Sequence, residues 1–137
     1  MRRLFALAAL LCSLALPAFA GGLIKDDALE TRPPTAGEAA GLFATDAPVQ
    51  VQRDEAGVPG WQVSQGGAVI GHIGSTWEIA GSVGYSGRPL DVLVGIGTGA
   101  RIRGAGLGRH DEPVLTLGIS DADIAAYVSG FAGHDLT

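Results

Sequence analysis

The sequence predicts an α+β domain, and three observations carry that prediction. An early capped helix is followed by a long β-rich stretch of apolar, glycine-bounded segments. A second segment with helical spacing lies close to the end of the chain. Between the β-rich part and that last helix, residues 84–119 read as strand, tight turn, strand and then an abrupt polar knot formed by Arg109, His110, Asp111, Glu112 and Pro113.

Residues 1–20 read as a secretory signal. Arg2 and Arg3 give the basic start, residues 4–16 are apolar apart from Cys12 and Ser13, and Ala18-Phe19-Ala20 supplies the small residues that signal peptidase accepts. The apolar run is short for a membrane span, which needs roughly 20 residues. Leu11 before Cys12 is not the small residue that lipoprotein processing requires. The expectation is cleavage after Ala20 and residence in the periplasm. Residues 21–34 are polar and contain Pro33-Pro34, as in a linker or loosely packed arm.

The domain proper is expected over residues 35–137. Thr35 and Glu38 have capping-box spacing ahead of Ala39, Ala40, Leu42 and Phe43, so a short helix is expected over residues 36–44. Val49-Gln50-Val51 alternates as a strand does, and residues 53–60 read as a turn or loop. Trp61-Gln62-Val63 opens the β-rich stretch, and residues 68–73 and 76–80 are apolar and β-branched enough to read as two further strands. Residues 89–96 and 100–107 flank Gly97-Thr98-Gly99, which reads as a hairpin turn with glycines supplying positive φ. Arg101 and Arg103 alternate with Ile102, which makes one face of the second strand polar. Over residues 120–132, Ser120 or Asp121 is the N-cap, and Ile124, Tyr127, Val128 and Phe131 recur at helical spacing.

Composition narrows the function. Removing the first 20 of 137 residues leaves 117, enough for one modest core. Cys12 is the sole cysteine, so the exported chain has no disulfide framework, thiol chemistry or cysteine metal cluster. With Arg2 and Arg3 gone, seven basic residues face fourteen acidic ones, a net charge of −7. An acidic chain without a Lys/Arg cluster repels the phosphate backbone, so direct nucleic-acid binding is not expected. His72, His110 and His134 stand apart and lack metal-ligand spacing. No nucleophile–base arrangement or spaced carboxylate pair points to catalysis.

The 22 glycines exceed twice the usual share and are spread through the strands, where they mark turns, bulges or close approaches to a ligand. Gly95-Ile96-Gly97-Thr98-Gly99 and Gly104-Ala105-Gly106-Leu107-Gly108 are not dinucleotide fingerprints, because the spacing is wrong and neither opens a helix. The segment His110-Asp111-Glu112-Pro113 reads two ways: as a solvated, capped turn, or as a site where Glu112 or His110 bonds the edge of a heterocycle. Tyr85-Ser86-Gly87-Arg88-Pro89 is likewise either a binding loop or an ordinary turn into a strand. Trp61 and Trp77 are core, edge or stacking residues.

From about residue 61 to residue 131 the chain resembles the periplasmic flavin-binding domain of the NosR/NirI family. These are membrane flavoproteins associated with nitrous oxide reductase. The resemblance rests on GHIGSTWEIAGSVGYSGRPLDVLVGI (residues 71–96) and on Gly106-Leu107-Gly108-Arg109-His110-Asp111-Glu112-Pro113 leading into VLTLGI. It implies an FMN-binding fold, a twisted and largely antiparallel sheet with flanking short helices, shared more distantly with RnfG-like subunits of ion-pumping redox complexes. It further implies that His110, Glu112 and Pro113 lie beside the flavin and that Tyr85, Ser86 and Gly87 line the same cleft. Nitrous oxide reductase and a flavin transferase are the implied partners, with a membrane domain in the full-length protein. Flavin in this family is attached through its phosphate to a threonine in a Ser-Gly-Ala-Thr-like motif. Ser129-Gly130-Phe131-Ala132 departs from that motif, so covalent FMN is not expected on these 137 residues, and the chain reads as an N-terminal portion of the domain. A non-redox periplasmic sensing or interaction module and an inactive remnant are the alternatives.

Overall fold

The computed structural model describes Leu29 and residues 31–137 except Glu55. The expected signal segment lies outside the described residues. Among the described residues, five strands form one antiparallel sheet in which every neighbour in sequence is a neighbour in space: β1 (Val49–Asp54), β2 (Gly60–Gln65), β3 (Ala68–Ser75), β4 (Leu90–Gly97) and β5 (Ile102–His110). Three short α-helices among them accompany the sheet: α1 (Ala36–Leu42), α2 (Thr76–Ala80) and α3 (Asp121–Ser129). The α+β class holds.

α1 begins where its capping box begins. Thr35 Oγ1 accepts from the Glu38 N–H at 3.2 Å, and the Glu38 carboxylate accepts from the Thr35 N–H at 2.7 Å. In the arm ahead of α1, Leu29 is buried and Arg32 forms a two-pronged ion pair with Glu38. α3 starts with a second capping box, between Ser120 and Asp123. Its buried residues are Ile124 and Val128. Tyr127 and Phe131, expected on the same apolar face, are exposed and meet edge to face with ring centroids 5.9 Å apart.

Three expectations are corrected. Residues 76–80 form α2, not a strand. Ser75 caps the helix by accepting from the Glu78 N–H at 3.1 Å, and Gly81 ends it in the left-handed region at φ +61°. Capping at both ends overrides the β propensity of Thr76, Trp77 and Ile79. Residues 53–60 are only partly a loop, because Arg53 and Asp54 continue β1 to pair with Trp61 and Gly60. The β4–β5 turn has its positive φ at Ala100 (+54°), not at Gly97 or Gly99. The Gly97 N–H donates to the Arg101 carbonyl and the Ala100 N–H to the Gly97 carbonyl, so the third loop residue must be left-handed.

The core is a cluster of Ala39, Phe43, Val49, Trp61, Val63, Ile73 and Leu93 between α1 and one sheet face. Trp61 is therefore a core residue, with the Arg53 guanidinium 5.0 Å from its ring centroid. α1 comes very close to the sheet, and glycines make that possible. A Cβ on Gly104 would overlap the Leu42 carbonyl, and one on Gly71 would overlap both the Ile96 carbonyl and the Phe43 ring. Gly95, opposite Gly104 in the ladder, lies beneath Leu42 and Phe43. Three of the glycines expected to mark ligand approaches thus seat the protein's own helix. Beyond α3, residues 133–136 return to the start of β5. There the Gly133 N–H donates to the Ile102 carbonyl, the Ile102 N–H to His134 and the Leu136 N–H to Ala100.

Candidate functional site

The two polar segments singled out in the sequence meet. β5 delivers His110 next to Leu90 at the start of β4, and the chain then turns through Asp111 and Glu112 into a 3-10 turn over Pro113–Thr116. Residues 84–88 form a turn just before β4. There the Gly84 N–H donates to the Arg88 carbonyl, the Gly87 N–H donates to the Gly84 carbonyl, and Gly87 has φ +78°. This is the same two-bond pattern as the β4–β5 turn, with Gly87 in the place of Ala100.

Glu112 joins the two segments. It is 3 % exposed. Its Oε2 accepts from the Ser86 N–H at 3.0 Å and the Ser86 hydroxyl at 2.8 Å, while Oε1 accepts from the Val114 N–H at 3.2 Å. Burial pushes the carboxyl pKa up, but the two Ser86 donors, the Val114 N–H and the neighbouring His110 together hold it below the ordinary value. Gly84 is the other half of the fit, since any Cβ there would overlap Glu112 Oε2. Two outer ties reinforce the joint: the Asp111 N–H donates to the Pro89 carbonyl at 3.0 Å, and Arg88 pairs with Asp111 at 2.5 Å.

The structure thus brings Ser86, Gly87, His110, Glu112 and Pro113 to one place. Tyr85 sits at the tip of the turn with its side chain 96 % exposed. Both oxygens of Glu112 already accept from the protein, so a heterocycle bonding there has to share them. His110 Nδ1 is buried and has no hydrogen-bond partner among the described residues. A buried nitrogen left unsatisfied by the described residues is a hydrogen-bonding position that calls for a further polar atom. Among the described residues there is no group of three or more His, Cys, Asp or Glu able to hold a metal ion. No helix among them is long and apolar enough to cross a membrane.

Sequence reasoning passed over Asp91. It is 5 % exposed and accepts from the Ser75 hydroxyl at 2.7 Å and the Trp77 N–H at 3.2 Å, anchoring the start of α2 to β4. The signal was present: a single carboxylate interrupts the apolar run Leu90-Asp91-Val92-Leu93-Val94.

Comparison with known proteins bears on this pairing of segments. The chain is 56 % identical over 115 residues to protein NirI of Paracoccus denitrificans (strain Pd 1222), an alignment covering 80 % of this chain. The chain belongs to the NosR/NirI family. It spans 17 % of the length of that NirI protein. No family model matches the chain, and no solved structure does. Membership in the NosR/NirI family relates the protein to denitrification.

Proposed function

We propose that the chain is the periplasmic FMN-binding portion of a NosR-like membrane protein, which relays electrons to nitrous oxide reductase and supports its expression. One observation carries this reading. The segments around Gly84 and Glu112, 26 residues apart between Ser86 and Glu112, form a single hydrogen-bonded joint. Residues that carry the family resemblance are therefore parts of one structural unit.

In this reading Tyr85, Ser86, Gly87, His110, Glu112 and Pro113 lie beside the flavin. Glu112 acts as a positioning residue, holding the turn that presents Tyr85. The isoalloxazine supplies the redox chemistry, and the protein supplies position and electrostatics. A flavin transferase and nitrous oxide reductase are the proposed partners, with a membrane domain anchoring the whole to the inner membrane.

The test is to purify the full-length family protein, made with its flavin transferase, and record its visible spectrum before and after dithionite. The expected result is flavin absorption that stays with the protein through gel filtration and bleaches on reduction. A full-length protein with no flavin bands would overturn this reading in favour of a non-redox sensing or interaction module.

A further inference from the structure

β5 is an outer strand of the sheet, paired with β4 on one side only. Its outer edge accepts a strand, because residues 133–136 already supply the first rungs of one. The Gly133 N–H donates to the Ile102 carbonyl at 2.7 Å, the Ile102 N–H to the His134 carbonyl at 2.9 Å and the Leu136 N–H to the Ala100 carbonyl at 3.0 Å. Arg101 clamps this addition, donating to the Gly133 carbonyl at 3.2 Å and pairing with Asp135 at 2.8 Å. Beyond Ile102, residues 103–108 have no strand on that side among the described residues. A row of backbone donors and acceptors left at a sheet edge is a template for another extended segment.

A cleft of about 360 Å³ adjoins the same stretch of β5. Leu42, Leu93 and Leu107 line it, with Ser129 and Ala132 at the end of α3. The Glu38 carboxylate lines it too, but Arg32 holds that group in a two-pronged ion pair. Next to Ala132 in the chain, Phe131 is 47 % exposed. A small molecule fills such a cleft but leaves the sheet edge unpaired. An extended polypeptide does both, with its backbone on β5 and an alternate apolar side chain turned towards the leucines.

We propose that, in the full-length protein, an extended segment of the same polypeptide from outside these 137 residues pairs with the outer edge of β5 and puts an apolar side chain into this cleft. The chain spans 17 % of the length of the NirI protein it matches, so a family member has ample further polypeptide to supply that segment. A tethered segment meets the edge at an effective concentration on the order of millimolar, an advantage that a free partner lacks. The inference rests on the chain being a portion of a longer protein, as proposed above, and not on the flavin.

The test uses the full-length protein, made with its flavin transferase, carrying the photo-cross-linker p-benzoylphenylalanine in place of Phe131. A control carries it in place of Val58, 70 % exposed in the turn between β1 and β2. After irradiation, mass spectrometry identifies the joined peptides. The expected result is a cross-link from position 131 to a peptide of the same polypeptide outside residues 1–137, at a place that position 58 does not reach. Cross-links from position 131 only to a second copy, to another protein or within residues 1–137, or none at all, would overturn the inference. Hydrogen exchange on the unsubstituted full-length protein gives a second reading: β5 should be protected as fully as β3, which has a strand on each side. About half of the β5 amides exchanging freely while β3 stays protected would also overturn it. The visible spectrum of the same sample separates the two readings. Flavin absent with the cross-link present removes the flavin reading alone, and flavin present without the cross-link removes this inference alone.

Discussion

A buried carboxylate keeps its place only while its neighbours leave room for it, and Glu112 depends on the missing side chain of Gly84. Oε2 would overlap a Cβ there, and it cannot swing aside without giving up both bonds from Ser86. Gly84→Ala should therefore destabilise the domain by about 1–3 kcal/mol, the usual cost of overpacking, read as a lower urea midpoint at unchanged slope. Ser86→Ala keeps the space and removes one donor, so its effect should be smaller. Acid should act on the same group. The folded pKa of Glu112 lies below its ordinary value of 4.5, so its contribution is present at higher pH and is lost as pH falls through the folded value. Glu38, lowered to about 2 chiefly by its hydrogen bonds to Arg32, loses its contribution between about pH 4.5 and pH 2. Urea midpoints measured from pH 6 to pH 2 should fall for wild type and fall less steeply for Glu112→Gln. Equal slopes would show that Glu112 is not held as an ion. From the sequence, Glu112 reads equally well as a solvated turn residue, because nothing local shows that Ser86 covers it from 26 residues away.

Helices that announce themselves by their caps were legible, and the element that was misread carried the same signal. Thr35 with Glu38 and Ser120 with Asp123 mark α1 and α3, and Ser75 with Glu78 and Gly81 marks α2 in the same way. Five residues were too few for a helical period to compete with β-branched side chains. Hairpin turns show the opposite limit. The sequence puts glycines at 97 and 99, yet hydrogen bonding places the left-handed residue at Ala100. An alanine there carries a steric penalty of about 1–2 kcal/mol. Glycine relieves it but loses about 0.5–1 kcal/mol in chain entropy. Ala100→Gly should accordingly raise stability by about 0.5–1 kcal/mol, on the difference of those two terms. Gly99→Ala, with no positive φ and open space around its Cβ, should be neutral or stabilising by up to about 1 kcal/mol. Thermal unfolding of the two variants checks the turn: a destabilised Gly99→Ala beside a neutral Ala100→Gly would reassign the left-handed position.

Across the whole molecule, one helix of seven residues closes the core of a five-stranded sheet, and it does so through glycines on neighbouring strands. α1 is too short to persist alone in water, so its stability has to come from docking. Leu42 and Phe43 sit over Gly71, Gly95 and Gly104, contributed by β3, β4 and β5, and Phe43 joins the buried cluster with Val63 and Ile73. Composition shows the glycine excess but not its purpose, because the three positions come together only once the strands are in register. That register also shapes a cleft of about 360 Å³ beside β5, because Leu42 both holds α1 down and lines it. Gly104→Ala puts a methyl group into the Leu42 carbonyl, a backbone atom that cannot rotate away. Gly106→Ala, two residues along the same strand, meets only an ordinary side-chain contact. The first variant should lift the end of α1 off the sheet and cost about 1–3 kcal/mol, as overpacking does. The second should leave stability within about 0.5 kcal/mol of wild type. Hydrogen exchange gives the decisive readout, because undocking exposes the α1 amides while β2 and β3 stay protected. Uniform loss of protection across all five strands in Gly104→Ala would show instead that α1 and the sheet unfold as one unit.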